Sequence, residues 1–519
     1  MCRLPCMSCR AIFLGLALVL SIPEQTLSAE GLPNMVMIYA DDLGYGDMHA
    51  NNPSRSRIPT PNMDRLCREG MRFTDAHSSS GVCSPSRYTL LTGRYHWRTR
   101  LQSGIVDLWG APLIAAGRLT LPGMLKQRGY RTGCVGKWHL GWDWPLADGE
   151  RVLLNGAKND RATPRQREVW GRLFSQPIPG GPVTRGFDVY FGTDVPNWPP
   201  FCFIEQDRTV GIPSEFLPEP LFAKNQATRQ GPALAGWTLE PILPAVGRRA
   251  VEFVLESALS DAPYFLYLPL TAPHTPLAVS AEFQGRSGLG VYADFVLETD
   301  AWIGRVLDAV DQTGERDRTL VVFTSDNGFA PGSGADELER AGHYPSGGLR
   351  GYKADVWEGG HRVPFVVRWP RVVRPGSVSG ALVHQADLMA TCAAVIGYAL
   401  PPDAGEDSVN LLPLWQGEVG SVRSHAISQS SGGLLSVREG DWKFIPGRGS
   451  GGWAKGGDDQ PAQLFNLNTD PGEEDNLYAS ESMRVEKMTA LLRSLVESGR
   501  STPGPAQAND VPVRWNRIE

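Results

Sequence analysis

The chain has 519 residues, which is more than one hydrophobic core usually organises, so we expect a large domain and a smaller one. Its net charge is −6 and its acidic and basic residues are interspersed, a distribution that disfavours nucleic acid or an anionic membrane surface as a partner. Beyond the N-terminal segment, no stretch is apolar for the roughly 20 residues that a helical membrane span needs. Composition therefore favours a globular protein without a membrane span.

The N-terminal segment has the pattern of a secretory signal peptide. Arg3 and Arg10 precede an apolar run at residues 11–22, and a polar stretch with small residues follows. A charged start, an apolar middle of about a dozen residues and a small residue before the cut define such a peptide. We expect cleavage near Ala29, which makes residues 1–29 the signal peptide and predicts export, to the periplasm or by secretion.

Cysteine usage directs attention to one residue. Removal of the signal peptide leaves five widely spaced cysteines: Cys67, Cys83, Cys134, Cys202 and Cys392. An oxidising compartment permits disulfides, but five scattered cysteines in a large domain do not form a disulfide framework, and their odd number indicates that one has a separate fate. Cys134 and Cys392 lie in apolar stretches and are predicted to be buried. Cys83, between small polar residues, is the candidate for a chemical role.

Several short apolar runs are predicted strands. They are continuous rather than alternating and rich in branched and aromatic residues, which is typical of strands buried on both faces of a parallel sheet. They are residues 35–40, 131–136, 264–270, 320–325 and 364–369. Helical segments, for example residues 60–70 and 291–314, lie between them. Alternating strands and helices predict an α/β domain with a large, mixed, mostly parallel sheet flanked by helices.

Chemically active side chains follow four of these strands. They are, in chain order, Asp41, Asp42, Lys137, His139, His274, Asp326 and Asn327. In open α/β sheets the ligand crevice lies beyond the carboxyl ends of the strands. Asp, Asn and Gly are also ordinary turn residues, and a histidine after a strand is often only a hydrogen-bonding group. Their coincidence at the same end of several strands favours a functional site.

The acidic residues and the amide in this set predict a metal site. The oxygen ligands would be Asp41, Asp42, Asp326 and Asn327. A set made of oxygen alone suits hard cations such as Ca²⁺ or Mg²⁺ rather than zinc. Ca²⁺ is the better match outside the cell, where it is abundant and where an irregular oxygen shell suffices. We therefore expect one bound Ca²⁺.

Cys83 precedes a predicted helix, "SPSRYTLLTG". Pro85 falls near the first helical position, where its missing N–H costs nothing, and Arg87 lies one turn along. Free backbone N–H groups and a cation at a helix start bind a tetrahedral oxyanion. A helix-start cysteine followed by a solvent-facing arginine is the alternative interpretation of this motif taken alone.

The motif around Cys83 resembles that of a known family. "CSPSR" followed by "LLTGR" is similar to the signature of the type I sulfatases, in which the cysteine is oxidised after translation to Cα-formylglycine. Further blocks between about residues 35 and 370 resemble that family in its order: "YADDLGYGD", "GKWHLG", "APHTP", "SDNG" and "GYKADVWEGGHRVP". The resemblance implies an alkaline-phosphatase-like fold and hydrolysis of a sulfated carbohydrate or an aryl sulfate. It also implies maturation by a formylglycine-generating or anaerobic sulfatase-maturing enzyme.

The resemblance also implies a role for each site residue. The Ca²⁺ ligands would be Asp41, Asp42, Cys83 in its modified form, Asp326 and Asn327. Arg87 would stabilise the hydrated aldehyde, and Lys137 and Lys353 would bind sulfate oxygens. His139 would assist release of sulfate from the covalent intermediate, and His274 would protonate the leaving oxygen. One hydroxyl of the hydrate would attack sulfur, with Asp326 as a base, and the other would later expel sulfate.

Three further histidines lie in or near these motifs: His49, His77 and His361. His361 stands where relatives often have an aliphatic residue, so we expect it behind the site residues or on the substrate side. His49 and His77 are close in sequence to the motifs and could approach the pocket, but we expect both at the surface.

The rest of the chain is predicted to form a smaller α+β domain. Strand-like runs occur at residues 425–430, 434–445 and 462–470. The second run alternates and turns at Gly440 and Asp441, as an antiparallel hairpin does. Residues 483–499 are a predicted helix. We expect a catalytic domain at residues 30–400 and a C-terminal domain with an antiparallel sheet and a terminal helix at residues 401–519.

Five aromatic residues near the motifs bear on the substrate: Trp97, Trp142, Trp144, Trp198 and Phe201. Aromatic faces pack on sugar rings, which favours a carbohydrate sulfate over a phenolic one, although Trp198 and Phe201 would equally serve as loop anchors. Three alternatives remain open. They are a phosphate or phosphonate ester hydrolase of the same superfamily, a phosphatase that uses the Cys83 thiolate, and a protein that binds sulfated glycans without catalysis because Cys83 is unmodified.

Overall fold

The structure is a computed structural model that describes residues 31–157, 160–218, 229–457 and 459–518, together with Met1 and Leu221. Apart from Met1, the predicted signal peptide lies outside the described residues. Within the described part of the chain, no helix combines the length and the apolar composition that crossing a bilayer requires.

The described residues contain strands that belong to one large and several small sheets. In chain order they are β1 (Asn34–Ala40), β2 (Met71–Phe73), β3 (Ala76–His77), β4 (Arg131–Lys137), β5 (Val189–Thr193), β6 (Ile204–Glu205), β7 (Arg208–Thr209), β8 (Glu215–Phe216), β9 (Pro232–Ala233), β10 (Tyr264–Pro269), β11 (Thr319–Ser325), β12 (Phe365–Arg368), β13 (Ser377–Ser379), β14 (Val383–His384), β15 (His425–Gln429), β16 (Leu435–Glu439), β17 (Trp442–Ile445) and β18 (Gln463–Asn466).

The α-helices of the described residues lie mostly between these strands. They are α1 (Pro61–Glu69), α2 (Cys83–Thr92), α3 (Leu121–Lys126), α4 (Pro164–Phe174), α5 (Ile242–Ser257), α6 (Val291–Gln312), α7 (Ala335–Arg340), α8 (Glu358–His361), α9 (Leu388–Val395), α10 (Leu412–Trp415) and α11 (Ser482–Glu497).

The large sheet has the strand order β13-β2-β12-β11-β1-β10-β4-β5-β6-β7 within the described residues. Its centre, from β11 to β5, is parallel, whereas β12 and β6 pair antiparallel at either side of that centre. The predicted α/β fold with a mixed, mostly parallel sheet is confirmed. The central strands end together because they run parallel, so the loops that follow them open at one edge.

The continuous apolar strands are buried on both faces, as predicted. Along β1, Met35, Met37 and Tyr39 belong to one hydrophobic core, and Val36 and Ile38 belong to the other. Successive strand residues point to opposite faces of a sheet, so a strand covered on both sides needs an apolar residue at every position. The long helices α5 and α6 pack on each other and contribute to the second core.

A separate antiparallel sheet, in the order β15-β16-β17-β18, lies near the C-terminal end of the sequence with α11 packed against it. The predicted hairpin is present, since Glu439 pairs with Trp442 across Gly440 and Asp441. This sheet contacts the segment that leads to Cys83, because the Gln429 backbone N–H donates to the Ser79 carbonyl at 3.0 Å. The smaller sheet therefore supports one side of the candidate site.

Candidate active site

The carboxyl ends of β1 and β11 bring the predicted acidic residues together. The Asp326 backbone N–H donates to the Ala40 carbonyl at 3.1 Å, and the Asp42 backbone N–H donates to Asp326 Oδ1 at 3.1 Å. Asp41, Asp42 and Asp326 are all buried. Burial of several carboxylates is unfavourable unless cations or hydrogen bonds compensate their charge, so this cluster has to be paired.

Helix α2 supplies Cys83 and Arg87 to the same cluster. Cys83 is the first residue of α2 and is buried, with Val82 extended before it. The Arg87 guanidinium Nη2 lies 2.7 Å from Asp326 Oδ2 and 3.2 Å from Asp41 Oδ1. The alternative of a solvent-facing arginine is therefore wrong, because Arg87 is fully buried and one turn from Cys83.

Two lysines compensate the remaining carboxylates. Lys137, at the end of β4, places Nζ 2.7 Å from Asp41 Oδ2 and 3.0 Å from Asp41 Oδ1. Lys353 places Nζ 2.7 Å from Asp42 Oδ2. With Arg87, these residues bring as many positive charges as there are carboxylates in the cluster. A divalent cation added here would give the site a net positive charge, which suits an anionic substrate.

Asn327 is the feature of this cluster that most favours a metal. Its amide Nδ2 donates to Asp42 Oδ1 at 2.8 Å, whereas its Oδ1 is buried and has no hydrogen-bond partner in the described structure. Buried polar atoms are nearly always satisfied, so an orphaned amide oxygen among carboxylates fits the role of a cation ligand. Ligand atoms of Cys83, His274 and two of the carboxylates lie within 4.8 Å of one another. The carboxylate and amide oxygens suit a cation that prefers oxygen ligands.

The electrostatics of the two neighbouring carboxylates differ. Burial and the adjacent Asp41 charge raise the pKa of Asp326 to about 7, and Arg87 offsets this only in part. Burial also acts on Asp41, but the charges of Lys137, His274 and Arg87 outweigh it and hold the pKa of that carboxyl well below its usual range. The geometry therefore makes Asp41 a permanent anion and Asp326 the more basic of the two groups.

His139 is arranged as a neutral hydrogen-bond acceptor. Its Nε2 lies 3.2 Å from the Val106 carbonyl oxygen, and a carbonyl only accepts, so Nε2 carries the hydrogen. Its Nδ1 is then the free acceptor, and it is buried without a partner in the described structure. Burial, with the nearby Lys137 and Arg87 charges, holds the pKa of His139 well below its ordinary value. The ring is therefore neutral at neutral pH, and its Nδ1 is available as a hydrogen-bond acceptor.

His274 is arranged in the opposite sense. Its Nδ1 contacts the Thr275 carbonyl oxygen and must carry a hydrogen there, while its Nε2 lies 3.6 Å from Asp42 Oδ2. Nε2 is consequently the ring nitrogen that faces the site. His274 is also among the least buried of the predicted site residues, which places it toward the opening of the cleft.

Several positions at the site have a backbone that most residues avoid. Asp42, His139 and Ala354, the neighbour of Lys353, have φ angles of 64°, 52° and 79°. Non-glycine residues adopt positive φ only when their surroundings compensate the strain, and such residues concentrate at functional sites. At His139 part of the compensation is visible, because its backbone N–H donates to Asp194 Oδ1 at 3.2 Å.

Comparison with known proteins identifies the family. The Sulfatase family model matches residues 33–398. The chain belongs to the sulfatase family. Specifically, it is a type I sulfatase of the alkaline-phosphatase-like superfamily, an enzyme that hydrolyses sulfate esters.

Relatives of this sulfatase cover nearly its full length. It is 31% identical to the N-acetylgalactosamine-6-O-sulfatase of Bacteroides thetaiotaomicron over 89% of this chain and 93% of that protein. It is 32% identical to arylsulfatase A of Bos taurus over 93% of this chain and 91% of that protein. A solved Bacteroides thetaiotaomicron protein described with the metabolism of multiple glycosaminoglycans superposes with a TM-score of 0.77 at 29% identity, covering 90% and 99% of the two chains.

The sulfatase has a second buried ionic cluster beside the site, which we call the inter-sheet cluster: Asp75, His77, Glu358, His361, Arg362, Arg438, Lys443 and Glu473. In it, the Nδ1 atoms of His77 and His361 lie 3.1 Å apart, and Lys443 Nζ lies 3.2 Å from His361 Nε2. The expectation of a surface position is wrong for His77, which is buried, whereas His49 is exposed. His361 belongs to this cluster, behind the segment that leads to Cys83, since the Ser78 backbone N–H donates to the His361 carbonyl at 2.9 Å.

The aromatic residues considered for substrate binding separate into two groups. Trp97, Trp142 and Phe201 are buried in hydrophobic cores, and Trp144 packs against one of those cores. Trp198 touches a site residue, its ring lying 5.5 Å from the His139 ring, centroid to centroid. Of the two roles considered for Phe201, sugar stacking and loop anchoring, its burial supports loop anchoring.

A polar cavity of about 290 Å³ adjoins a residue that contacts His139, since its lining residue Asp107 follows Val106, whose carbonyl oxygen lies 3.2 Å from His139 Nε2. Asp107, Arg151 and Arg229 are among its lining residues. Arg229 also contacts the Trp198 ring, with its guanidinium carbon 5.7 Å from the ring centroid. The volume approaches the low end of the range for small-molecule sites, roughly 300 Å³.

Two residues of the smaller sheet and its connections lie near the site or beside it, although no sequence motif predicts this. Trp453 lies in the connection between β17 and β18, with its ring centroid 5.9 Å from Lys353 Nζ. Lys443 lies on β17 within an alternating hairpin strand, where a lysine is ordinarily assigned to the exposed face. No motif marks either residue, and only the packing of the smaller sheet against the larger one brings them to the site.

Proposed function

We propose that this sulfatase removes sulfate from a sulfated carbohydrate, using a nucleophile formed by oxidation of Cys83 and one bound Ca²⁺. The observation that carries the proposal is the position of Cys83, at the start of α2 and within 4.8 Å of ligand atoms of Asp41, Asp42 and His274. Conversion to an aldehyde hydrate would place hydroxyl oxygens among these oxygen ligands, whereas sulfur is a soft ligand that hard cations do not prefer. This supports conversion of the side chain rather than use of the thiol itself.

The proposed Ca²⁺ ligands are Asp41, Asp42, Asp326 and Asn327, together with the converted residue 83. Support comes from the orphaned Asn327 Oδ1 and from the exclusive presence of oxygen donors on the four unmodified residues. When bound, Ca²⁺ would polarise the sulfate group and offset the negative charge that repels a nucleophile. The carboxylates and the cations that pair with them are arranged before substrate arrives, so little reorganisation accompanies binding.

The converted residue would supply two hydroxyls as an aldehyde hydrate, one to attack sulfur and one to release sulfate afterwards. Arg87 lies one turn along α2, where its charge stabilises the developing negative charge on the hydrate. Asp326, which accepts from Arg87 Nη2 at 2.7 Å, is the proposed base for the proton of the attacking hydroxyl. Lys137 and Lys353 would bind the sulfate oxygens.

The two histidines divide the later proton transfers between them. His139 offers its unprotonated Nδ1 as an acceptor, so it can take the proton of the hydroxyl that expels sulfate. His274 exchanges its proton at Nε2 and lies toward the opening, where the leaving oxygen of the substrate departs. A protonated His274 would neutralise that oxygen as the ester bond breaks, which matters most for a basic alkoxide of a sugar.

A carbohydrate is the proposed carrier of the sulfate. The relative named N-acetylgalactosamine-6-O-sulfatase and the structural neighbour linked to glycosaminoglycan metabolism support this class. The polar cavity that Asp107 lines supports it as well, since its charged lining suits a hydroxyl-rich ligand. The proposal includes export as a periplasmic or secreted protein, maturation by a formylglycine-generating or anaerobic sulfatase-maturing enzyme, and a catalytic domain at residues 30–400 followed by a domain at residues 401–519.

Paired substrates test the proposal against its nearest alternative. A phosphonate monoester hydrolase of Agrobacterium radiobacter shares the fold, with a TM-score of 0.53 at 19% identity. Turnover of an aryl sulfate, an aryl phosphate and a sulfated N-acetylhexosamine by the matured protein is measured side by side. We expect both sulfates to be hydrolysed and Cys83→Ala to abolish their turnover while the circular dichroism spectrum is unchanged. Strong phosphatase activity without sulfatase activity would overturn the assignment, and binding of the sugar without turnover would establish the non-catalytic alternative.

A further inference from the structure

Trp453 is the one exposed tryptophan among the described residues, with 56% of its surface accessible. The other large hydrophobic residues at the surface are aliphatic and scattered. A single exposed apolar residue is ordinary on a protein surface, so exposure alone assigns it no role. Its position relative to the site is what distinguishes it.

Trp453 borders the cleft from the side of the smaller sheet. Lys353 Nζ lies 5.9 Å from the indole centroid, within the range of a cation–π contact, and the same Nζ lies 2.7 Å from Asp42 Oδ2. A group bound to Lys353 therefore has the indole as its neighbour. In the proposed function Lys353 binds a sulfate oxygen, so the sugar that bears that sulfate would reach the indole within the span of one ring.

The backbone of the loop that carries Trp453 is fixed although the ring is exposed. Asp355 Oδ1 accepts from the backbone N–H of Trp453 at 2.9 Å and from that of Ala454 at 3.0 Å. The Val356 backbone N–H donates to the Ser450 carbonyl at 2.9 Å. Gly452 packs so closely that a Cβ there would lie 2.2 Å from the Ala354 carbonyl oxygen. A side chain on a rigid backbone loses little entropy when it binds a ligand.

We infer that Trp453 is a binding surface for the pyranose ring of the substrate, contributed by the smaller sheet to the cleft. The inference rests on the proposed function, since it takes the sulfate to lie at Lys353. One face of a pyranose presents C–H groups while its hydroxyls point outward, so a flat aromatic surface buries the apolar face and leaves the hydroxyls in water. Trp453 thereby selects a saccharide and holds it with its sulfate toward Cys83.

The test compares Trp453→Ala with Trp453→Phe in the matured protein, using a 6-sulfated N-acetylhexosamine as substrate. We expect Trp453→Ala to raise KM about tenfold with a smaller change in kcat, and Trp453→Phe to retain most of the affinity. The inhibition constant of inorganic sulfate is measured in parallel, because this ion occupies the sulfate position alone. It should stay at the wild-type value, which shows that Lys353 has not moved. Val378→Ala, a comparably exposed residue on β13, is the matched control.

Two outcomes would overturn the inference. An unchanged KM in Trp453→Ala would show that the indole does not contact the sugar. An equal loss of affinity for the sugar and for inorganic sulfate would show that Trp453 only supports Lys353. Failure of the proposed function would be visible separately, as an absence of turnover of every sulfate ester by the wild-type protein.

Discussion

Replacement of Lys443 by methionine should destabilise the contact between the two sheets. Lys443 Nζ lies 3.0 Å from Glu358 Oε1 and 2.8 Å from Glu473 Oε1, and all these side chains are buried. Glu358 belongs to α8, which precedes β12 of the large sheet, and Lys443 belongs to β17 of the smaller sheet. The Lys443 ammonium group therefore connects the two parts of the structure. Methionine keeps the length of the side chain and removes only its charge.

The expected loss of stability depends on the partners that the two carboxylates keep in the variant. Glu358 keeps Arg362, whose Nη1 lies 3.3 Å from Oε2, whereas among the described residues the side chain of Glu473 keeps the Glu358 backbone N–H at 2.6 Å. Loss of one partner from a buried ion pair costs about 3–5 kcal/mol, because a charge stays buried without compensation. Burial raises the pKa of Glu473 and Lys443 lowers it, so removal of Lys443 raises that pKa further, and at about pH 8 proton binding by Glu473 offsets part of this cost.

Urea denaturation at that pH, followed by tryptophan fluorescence, measures the effect. Lys443→Met should lower the midpoint, and adding Glu473→Gln should restore part of the loss because it removes the uncompensated carboxylate. The control is Lys487→Met, whose 56% exposed side chain pairs with Glu439 at 2.6 Å and should contribute no more than about 1 kcal/mol. A Lys443→Met protein within about 1 kcal/mol of wild type would refute the reasoning.

Three more predictions follow from the same structure. Burial raises the pKa of Glu473 from 4.5 to about 7, so its contribution to stability is complete below pH 4.5 and is lost as the pH rises through about 7. Glu473→Gln should abolish that part of the pH dependence of the urea midpoint. An unchanged pH dependence would contradict this prediction. His274→Ala should slow hydrolysis of alkyl sulfates by about 10²–10⁴ and of activated aryl sulfates far less, whereas equal losses would remove it from the acid role. Asn327→Leu should weaken Ca²⁺ binding, measured by calorimetry on the metal-free protein, by at least roughly tenfold; unchanged affinity would argue against the amide as a ligand.

The sequence was sufficient to predict where the candidate site would form. Continuous apolar runs such as that of β1 are unambiguous signals of buried parallel strands, and parallel strands end at a common edge. Asp41, Lys137 and Asp326 therefore had to approach one another once the strands were recognised. The predicted hairpin at Gly440 followed from turn chemistry, which is local in sequence.

Other features depend on contacts between distant segments and have no local signal. His77 has polar neighbours in sequence, which favour a surface position, yet it is buried in the inter-sheet cluster, where it contacts Asp75 and His361. Lys443 and Trp453 reach the site only because the smaller sheet packs against the segment that precedes Cys83. Periodicity records which face of a strand is apolar, but it does not record which other element will cover that face.

The chemical state of residue 83 in active protein is the most direct test of the proposed mechanism. Trypsin should release the peptide from Phe73 to Arg87, which contains Cys83, and its mass is measured in protein purified from a host with a sulfatase-maturing enzyme. Conversion of the thiol to the aldehyde predicts a loss of about 18 mass units, in proportion to the specific activity of each preparation. Fully active protein that contains only intact cysteine at position 83 would contradict the mechanism.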